Sequence, residues 1–367
     1  EFVAFVTKCT ENRLQAQTGI IDRLTAIVTK LWPSASLQSY GSFATNLCIP
    51  SSDLDLVITG APRYPIGERS PFQILATVLQ RQKWLTTVHA IETAQMPVVK
   101  LVCQFEKTFI HVDVTFDFSA SQVPLSHSGA PAHGHKRFMA VKKHRGIEST
   151  GLVKKHRGIE ATELVKSLID ELPALRPLAL VLKQFLFERN LSNPYTGGLS
   201  SYCLVLMIAS FLRVNRGKND LGDLLIDFLT FFGRRFAYQQ MGITINTAKR
   251  GYFYLSVPSP TLVLEDPFDE SVNIGKNVFA MYRVRAAFNY ALSALLSPSP
   301  YPSDKAPRLL SRIINLNWQG ATAIDTNWTP SKQQGKRREV ETEYSRRKRQ
   351  HRGSMLLERQ RSTSINR

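Results

Sequence analysis

The sequence has few cysteines, and they are not arranged as a disulfide framework or a metal finger. The four, Cys9, Cys48, Cys103 and Cys203, form no C-x-x-C pair and have no regular spacing. Disulfide-rich scaffolds and structural zinc sites both need closely paired cysteines. We therefore predict reduced thiols in an intracellular protein, with neither a disulfide framework nor a zinc site.

Long apolar runs are also missing. The longest, from Tyr202 to Leu212, is too short to cross a bilayer and predicts a buried helix capped by Ser200 or Ser201. No basic stretch precedes the apolar residues at the N-terminus, so we predict no signal peptide and no membrane association. Because the chain does not begin with Met, an organellar targeting segment ahead of Glu1 stays an open alternative.

Acidic residues are scarce relative to basic ones, which gives a formal net charge of +18. The excess is concentrated in residues 118–157, with eight Lys or Arg against one Glu, and in residues 332–367, with twelve against four. Lys and Arg that neutralise phosphates release counterions, so such segments favour a polyanion as partner. A solvated basic surface without a partner is the alternative.

The carboxylates that are present follow a pattern. Residues 53–58 read D-L-D-L-V-I, and alternation at period two is typical of a half-buried strand. Asp53 and Asp55 would then share one face, while the leucines between them point into a core. Phe109 to Phe116 (FIHVDVTF) alternates in the same way around Asp113, so a neighbouring strand could add a third carboxylate.

Closely placed carboxylates repel each other unless a cation lies between them or one is protonated. Oxygen ligands suit Mg2+, which is commonly held by one or two carboxylates and substrate phosphates. Gly41 and Ser42 precede the acidic strand, where a glycine would let backbone N–H groups approach a phosphate. These residues together predict a site for a nucleoside triphosphate and two divalent ions. A D-x-D strand taken alone also fits an ordinary solvent-facing strand.

The combination of GS, DLDLV and VDV resembles the DNA polymerase beta-like nucleotidyltransferases, specifically the RNA terminal nucleotidyltransferases. Among these it is similar to the noncanonical nuclear poly(A) polymerases of the surveillance (TRAMP) type. The resemblance implies an α+β fold: a nucleotidyltransferase catalytic domain with a mixed sheet and helices, a mainly helical central domain, and an active-site cleft between them. It also implies two Mg2+ or Mn2+ ions bound by the catalytic residues Asp53, Asp55 and Asp113.

The resemblance assigns phosphate and base contacts to five further residues. Gly41 and Ser42 would hold the β and γ phosphates, and Lys183 and Ser201 would join them. Tyr202, in the LSSY sequence, would stack on the incoming base. The ordinary alternatives are an ammonium of Lys183 that extends to solvent and a tyrosine that only packs.

The stretch from E-D-P to N-x-G resembles the nucleotide-recognition motif of the same family. Asp266 and Asp269 would reach the base or the second-domain backbone. Asn273 and Gly275 would shape the loop, and Lys276 would approach a phosphate or the base edge. Acidic residues beside proline are also common in plain turns.

Domain boundaries follow from the resemblance. Residues 18–160 would form the catalytic domain. Residues 1–17 and 161–328 would form the central, poly(A) polymerase-associated nucleotide-recognition domain, and residues 329–367 a basic disordered tail.

The catalytic domain carries a basic insert at about residues 118–157. The octapeptide VKKHRGIE occurs in it twice, at Val141 to Glu148 and at Val153 to Glu160, and either copy could begin the following helix. Five of the eight histidines fall here, in spacings that match no standard zinc finger. A basic loop explains them as well as a metal site does, and such a loop could guide RNA.

The resulting hypothesis is template-independent addition of AMP from ATP to RNA 3′ ends. Many uridylyl-transferring relatives have a His where this chain has Val272, which favours ATP, although transfer of UMP from UTP stays an alternative. A catalytically silent RNA-binding scaffold is the alternative of another class. No separate RNA-binding module is found in the sequence, so an RNA-binding or helicase partner protein is expected. The clusters KRR and RRKR favour a nuclear location.

Overall fold

The computed structural model describes residues 2–62, 69–93, 96–105, 108–119, 156–298 and 309–315. They fall into two compact units: unit 1, Val3–Ser167, and unit 2, Leu168–Arg367 together with Phe2. Most of the basic insert and the whole basic tail lie outside the described residues, so the predictions of RNA guidance and disorder stay predictions. Within the described ranges, no helix has both the length and the apolar character that crossing a bilayer requires.

Unit 1 is built on the mixed sheet that the sequence predicts. Its five strands are β1 (Ser36–Tyr40), β2 (Leu54–Thr59), β3 (Leu85–Ile91), β4 (Val98–Phe105) and β5 (Thr108–Asp117). They lie in the order β1-β2-β5-β4-β3. The central pair, β2 and β5, is parallel, and the other neighbouring pairs are antiparallel.

Helices precede, separate and follow these strands along the chain. They are α1 (Phe2–Leu31), α2 (Gly41–Ala44), α3 (Pro71–Leu79) and α4 (Gly158–Glu171). The start of α3 follows from local chemistry: Pro71 occupies the first turn, where its missing N–H costs nothing, and the Ser70 side chain accepts a hydrogen bond from the Gln73 amide.

The hydrophobic core of unit 1 lies on one face of the sheet. Alternate strand residues, among them Leu54, Leu56, Val112 and Val114, are almost completely buried there against apolar residues of α1 and α3. Because side chains of a strand alternate between faces, the intervening residues point to the opposite face. The aspartates predicted to be catalytic are all among these intervening residues.

Unit 2 is mainly helical. Its long helices are α5 (Leu175–Glu188), α6 (Ser201–Val214), α7 (Leu221–Thr230) and α8 (Met281–Leu296). The short strands β6 (Met241–Ile243) and β7 (Tyr252–Tyr254) form one antiparallel pair, and β8 (Glu265–Asp266) and β9 (Asp269–Asn273) form another. The predicted buried helix is α6, and Ser200 is the residue that caps it, because its side chain accepts from the Cys203 amide.

Three cysteines lie in the interior of their units. Cys48, Cys103 and Cys203 are buried, and none of them forms a disulfide among the described residues. Burial raises the pKa of the Cys103 thiol to about 12. This thiol therefore stays protonated and acts as a small apolar side chain.

A cluster of aromatic rings fills the interior of unit 2. Phe228 is fully buried, and its ring centroid lies 4.8 Å from that of Phe232, 5.5 Å from Phe211 and 5.6 Å from Phe288. Ring pairs at these separations add attraction beyond the burial of apolar area. Phe228 connects α7 to α6 and α8 through these contacts.

We expect Phe228→Ala to lower the free energy of unfolding of unit 2 by about 3–5 kcal/mol, because it removes a buried ring and leaves a cavity. Urea denaturation followed by circular dichroism measures this change. Tyr254→Ala is the matched control, since Tyr254 is 82% exposed. Equal losses in the two variants would contradict the assignment of Phe228 to the core.

Candidate active site

The strand register brings two of the predicted catalytic carboxylates side by side. Asp55 of β2 is the direct partner of Asp113 of β5 across the parallel pair. Tyr40 of β1 is the partner of Asp55 on the other side, and Lys100 of β4 is the partner of Asp113. Directly paired residues lie on the same face of a sheet, so these four side chains form one row across it.

Asp53 stands two residues before Asp55, and the two therefore face the same side. Asp53 is solvent-exposed, whereas Asp55 is half-buried. Although Asp53 keeps access to solvent, the protein atoms packed around its carboxyl group raise its pKa by desolvation, and the negative charge of Asp113 raises it further. Positive charge on Lys100, then on His111 and Arg13, acts in the opposite direction. The site thus contains carboxylates that repel each other, which is the condition that a bound cation relieves.

Lys100 lies in the candidate site, and no sequence motif assigns it a role. Its Nζ lies 2.5 Å from Oδ2 of Asp113, and both side chains remain partly accessible to solvent. The pairing follows from the register, since the two residues are partners on adjacent strands. Lys100 therefore orients the Asp113 carboxylate and offsets part of the negative charge of the site.

Gly41 lies against Asp55 and has a backbone conformation that favours glycine. Its φ is +70°, and a Cβ built on it would lie 2.6 Å from Oδ2 of Asp55. Its N–H donates a hydrogen bond to Oγ1 of Thr162 at 2.8 Å. This differs from the expectation that the Gly41 N–H would face a phosphate, because a buried threonine already occupies that donor. The adjacent Ser42 is half-buried, and its hydroxyl lies 3.5 Å from the sulfur of Cys48.

Sequence reasoning missed the residues that support this turn. His156 is buried, and its ring packs edge-on against Tyr40 with 4.9 Å between centroids. Its Nε2 lies 3.0 Å from the hydroxyl of Thr115 on β5. Desolvation lowers the pKa of His156, and the charge of Asp117 opposes this. The only sequence signal for His156 was the repeated HRG tripeptide. From composition, this tripeptide had been interpreted as part of a basic loop.

The described structure resolves which copy of the octapeptide begins the helix. Residues Gly158 to Glu160 of the second copy form the first turn of α4. The first copy, together with the histidines at positions 127, 133, 135 and 144, lies outside the described residues.

The phosphate and base residues predicted on α5 and α6 belong to unit 2. Lys183 is 5% exposed among apolar residues of α5. Ser201 is the first residue of α6 and is exposed, because the capping role falls to Ser200. Tyr202 follows it and is half-buried.

The loop that the resemblance assigns to nucleotide recognition is held by hydrogen bonds to its own backbone. Asn273 accepts from the amides of Gly275 and Leu264 and donates to the Leu262 carbonyl, at 2.8–3.0 Å. The side chain of Asn273 therefore shapes the loop, as the sequence suggested. Lys276, three residues later, is exposed.

The two aspartates of this loop also accept from nearby backbone amides. Asp266 is 7% exposed and accepts from the Phe268 amide at 3.0 Å. Asp269 accepts from the amide and the hydroxyl of Ser271 at 3.1 Å and 2.6 Å. Such bonds are typical of Asx turns. They give the loop a defined backbone conformation.

The chemistry of the donor set in unit 1 fits a divalent cation. Among the described residues, no group of three or more His, Cys, Asp or Glu side chains is arranged to hold a metal ion by itself. Mg2+ commonly takes only one or two carboxylates and completes its shell with water and substrate phosphates. Asp53, Asp55 and Asp113 lie on one face and carry negative charges that repel each other. They fit a site that a triphosphate would complete.

Comparisons with known proteins agree with this geometry. The family model for the central palm domain of mitochondrial-like poly(A) RNA polymerase matches residues 4–121, and that for the Cid1 family poly A polymerases matches residues 220–272. The poly(A) RNA polymerase cid14 of Schizosaccharomyces pombe is 29% identical over 310 residues. That match covers 81% of this chain and 40% of the relative, so the chain spans less than half of the relative's length.

Solved structures share the fold. The polymerase core of TRAMP, an RNA surveillance complex, superposes with a TM-score of 0.63 at 25% identity, covering 83% of this chain and 88% of that chain. The Cid1 poly(U) polymerase with Mg and 3′-dATP bound superposes with a TM-score of 0.58 at 20% identity, covering 82% and 97%. The second likeness concerns the fold alone. Taken with the mixed sheet and the glycine turn beside the acidic strand, these matches show that the chain has the nucleotidyltransferase fold and is similar to the noncanonical poly(A) polymerases.

Proposed function

We propose that this chain is a template-independent RNA 3′-terminal nucleotidyltransferase that transfers AMP from ATP. The observation that carries the proposal is the parallel pairing of β2 with β5, which sets Asp55 beside Asp113 on the sheet face opposite the core. Gly41 leaves room for the Asp55 carboxylate at the same place. The names of the matched families and of the relative support the reaction class.

Three carboxylates carry the chemistry in this proposal. Asp53, Asp55 and Asp113 would hold two Mg2+ or Mn2+ ions, which when bound neutralise the triphosphate and favour ionisation of the primer 3′-hydroxyl. Asp113 helps to remove the proton of that hydroxyl, and Lys100 orients the Asp113 carboxylate. Most of the rate gain comes from positioning and charge neutralisation.

Other residues bind the nucleotide in the proposal. Ser42, on the Gly41 turn, contacts the β and γ phosphates. Lys183 and Ser201 contact the triphosphate, and Tyr202 stacks on the base. A buried ammonium and an exposed hydroxyl at the first position of α6 suit these roles.

The loop around Asn273 would recognise the base. Asp266 and Asp269 reach the base or the neighbouring backbone, and Lys276 approaches a phosphate or the base edge. Asn273 acts indirectly, since its amide holds the loop backbone.

Primer RNA and a partner protein complete the proposal. The basic segments at residues 118–157 and 332–367 suit contact with RNA. The similarity to the polymerase core of TRAMP, an RNA surveillance complex, supports an RNA-binding or helicase partner for this chain. The KRR and RRKR clusters support a nuclear location.

Transfer of UMP is the second candidate, because one structural neighbour is a poly(U) polymerase. The position that distinguishes the two is Val272, whose side chain is 37% exposed on β9. A valine there offers no hydrogen bond to uracil and leaves room for a purine. We therefore favour ATP.

Asp55→Asn should lower the rate of tailing by about 100-fold or more. The substitution removes a carboxylate charge that contributes to charge neutralisation in the transition state. A 5′-labelled RNA oligonucleotide incubated with ATP and Mg2+ measures the rate. Asp22→Asn, on the exposed surface of α1, is the control and should keep the wild-type rate. Wild-type tailing by the Asp55 variant, with an unchanged melting temperature, would contradict the catalytic role of Asp55. Absence of tailing by the wild type and the variant alike would favour the silent RNA-binding scaffold.

Gly41→Ala should also reduce tailing by about 100-fold, because its Cβ would displace the Asp55 carboxylate. The matched control is Gly217→Ala. Gly217 also has a positive φ, +96°, but nothing lies within 4 Å of the added carbon. The control therefore carries the backbone strain alone and should retain activity. Equal losses would show that strain, and not contact with Asp55, is responsible.

Tailing with each of the four nucleoside triphosphates should give the highest kcat/KM with ATP. Val272→His should shift the ratio of the UTP and ATP values toward UTP, because an imidazole can donate a hydrogen bond to uracil. Val257→His, at a position 73% exposed in a loop, is the control. A wild-type preference for UTP would replace the proposal with its second candidate.

A further inference from the structure

Residues at the start of α4 connect the helix to the acidic face of the sheet. His156 and Gly158 belong to the second VKKHRGIE copy, and Thr162 follows it by two residues. All three contact the Tyr40–Gly41 turn or strand β5. None of them bears a role in the function proposed above.

Thr162 fixes the amide of Gly41. Its Oγ1 accepts the Gly41 N–H at 2.8 Å and donates to the Gly158 carbonyl at 2.8 Å. A threonine hydroxyl has one proton to donate and two lone pairs, so both bonds coexist. Thr162 is 5% exposed, and loss of its hydroxyl would leave the Gly41 amide without this partner, at the cost of desolvation.

His156 holds the strands on either side of Asp55. The Gly158 N–H donates to its Nδ1 at 3.3 Å, so the ring proton is on Nε2 and is donated to Thr115 Oγ1 at 3.0 Å. Thr115 in turn donates to the Leu56 carbonyl of β2 at 3.1 Å. The Tyr40 hydroxyl lies 3.4 Å from the same Oγ1 as a second donor. Thr115 thus uses its one donor and both acceptor positions.

Position 158 requires a glycine because the rings of His156 and Tyr40 lie close to it. A Cβ at this position would lie 2.4 Å from Cε1 of His156 and 2.7 Å from Cδ2 of Tyr40. Distances below 3.0 Å cannot be tolerated without displacement of one of the rings. The sequence H-R-G-I-E-x-T therefore carries a complete set of contacts to the turn.

The sequence after each copy explains why the second one occupies this place. Each copy contains the histidine and the glycine, and a threonine follows each copy by two residues. The two sets are offset by twelve residues. In the observed register, Leu168 and Leu172 are buried. Docking of the first copy would bring His156 and Glu160 to those two positions, and an unpaired charge is costly in a buried place.

We propose that His156 of the second copy and Thr162, which follows that copy, are positioning residues for the Gly41 turn and the Asp55 carboxylate. The proposal rests on the proposed function, since it concerns the same site. Thr162 sets the amide geometry of Gly41, and His156 keeps β1, β2 and β5 in place through Tyr40 and Thr115. Neither residue touches the substrate.

The experiment compares Thr162→Val, which loses the hydroxyl at similar volume, with Thr162→Ser, which keeps it. In the full chain, kcat/KM for ATP should fall about ten- to a hundredfold in the valine variant, because a small displacement of the turn is felt at the reacting groups. KM for the RNA primer should be unchanged. The serine variant should stay close to wild type.

The first copy of the repeat provides matched controls. Thr150→Val and His144→Ala are the same substitutions in the same local sequence, and both should leave the hydrogen–deuterium exchange of the peptide that contains Gly41 unchanged. His156→Ala should lower kcat/KM for ATP, and His156→Gln, which retains a donor that can reach Thr115, should restore part of the loss. Equal effects of Thr150→Val and Thr162→Val would overturn the assignment to the second copy. An equal loss in the serine and valine variants would overturn the role of the hydroxyl.

Hydrogen–deuterium exchange separates failure of this inference from failure of the proposed function. The peptide that contains Gly41 should exchange faster in Thr162→Val than in the wild type or in Thr162→Ser, whether or not the chain tails RNA. A wild-type chain that transfers none of the four nucleotides would end the proposed function. Unchanged exchange in the valine variant, or unchanged kcat/KM in an active one, would end the positioning role.

Discussion

The repulsion between carboxylates held on adjacent parallel strands is the constraint on which the rest of unit 1 depends. Asp55 and Asp113 are direct partners, and Asp113 raises the pKa of Asp53 from the same face. Such an arrangement is costly in an empty site, so the opposite face must hold the register. It does so with Leu54 and Val112, a directly paired couple in the core. A slip of one residue would move a carboxylate into the core and a leucine out of it.

The neighbourhood of the acidic row reduces that cost without removing the charge. Lys100, across the next strand pair, bonds to one oxygen of Asp113. Gly41 leaves the space that Asp55 occupies, and its own amide is satisfied by Thr162. The site is therefore preorganised by neutral hydrogen bonds and one ion pair. Preorganised groups of this kind do not have to reorient when charge develops in a reaction.

Unit 2 achieves order by a different route. Its helices pack around aromatic rings such as Phe228, while its recognition loop is shaped by side chains that bond to the backbone. Asn273 joins three backbone groups that are up to 13 residues apart, so the loop conformation does not depend on a bound nucleotide. Substitution of nearby Val272 or Lys276 would leave these hydrogen bonds in place, because neither side chain takes part in them.

The sequence by itself determined the periodic elements and the faces of their residues. Alternation around Asp53 and Asp113 predicted two strands with their acidic sides opposite a core, because the period of a strand is a local property. Only the tertiary structure decided the partners: which strand lies beside β2, that Lys100 meets Asp113, that Thr162 takes the Gly41 amide, and which copy of the repeat begins α4. The two copies are identical over eight residues, and the choice between them depends on burial of residues further along the helix. Burial is a property of packing between distant segments, and a local pattern does not encode it.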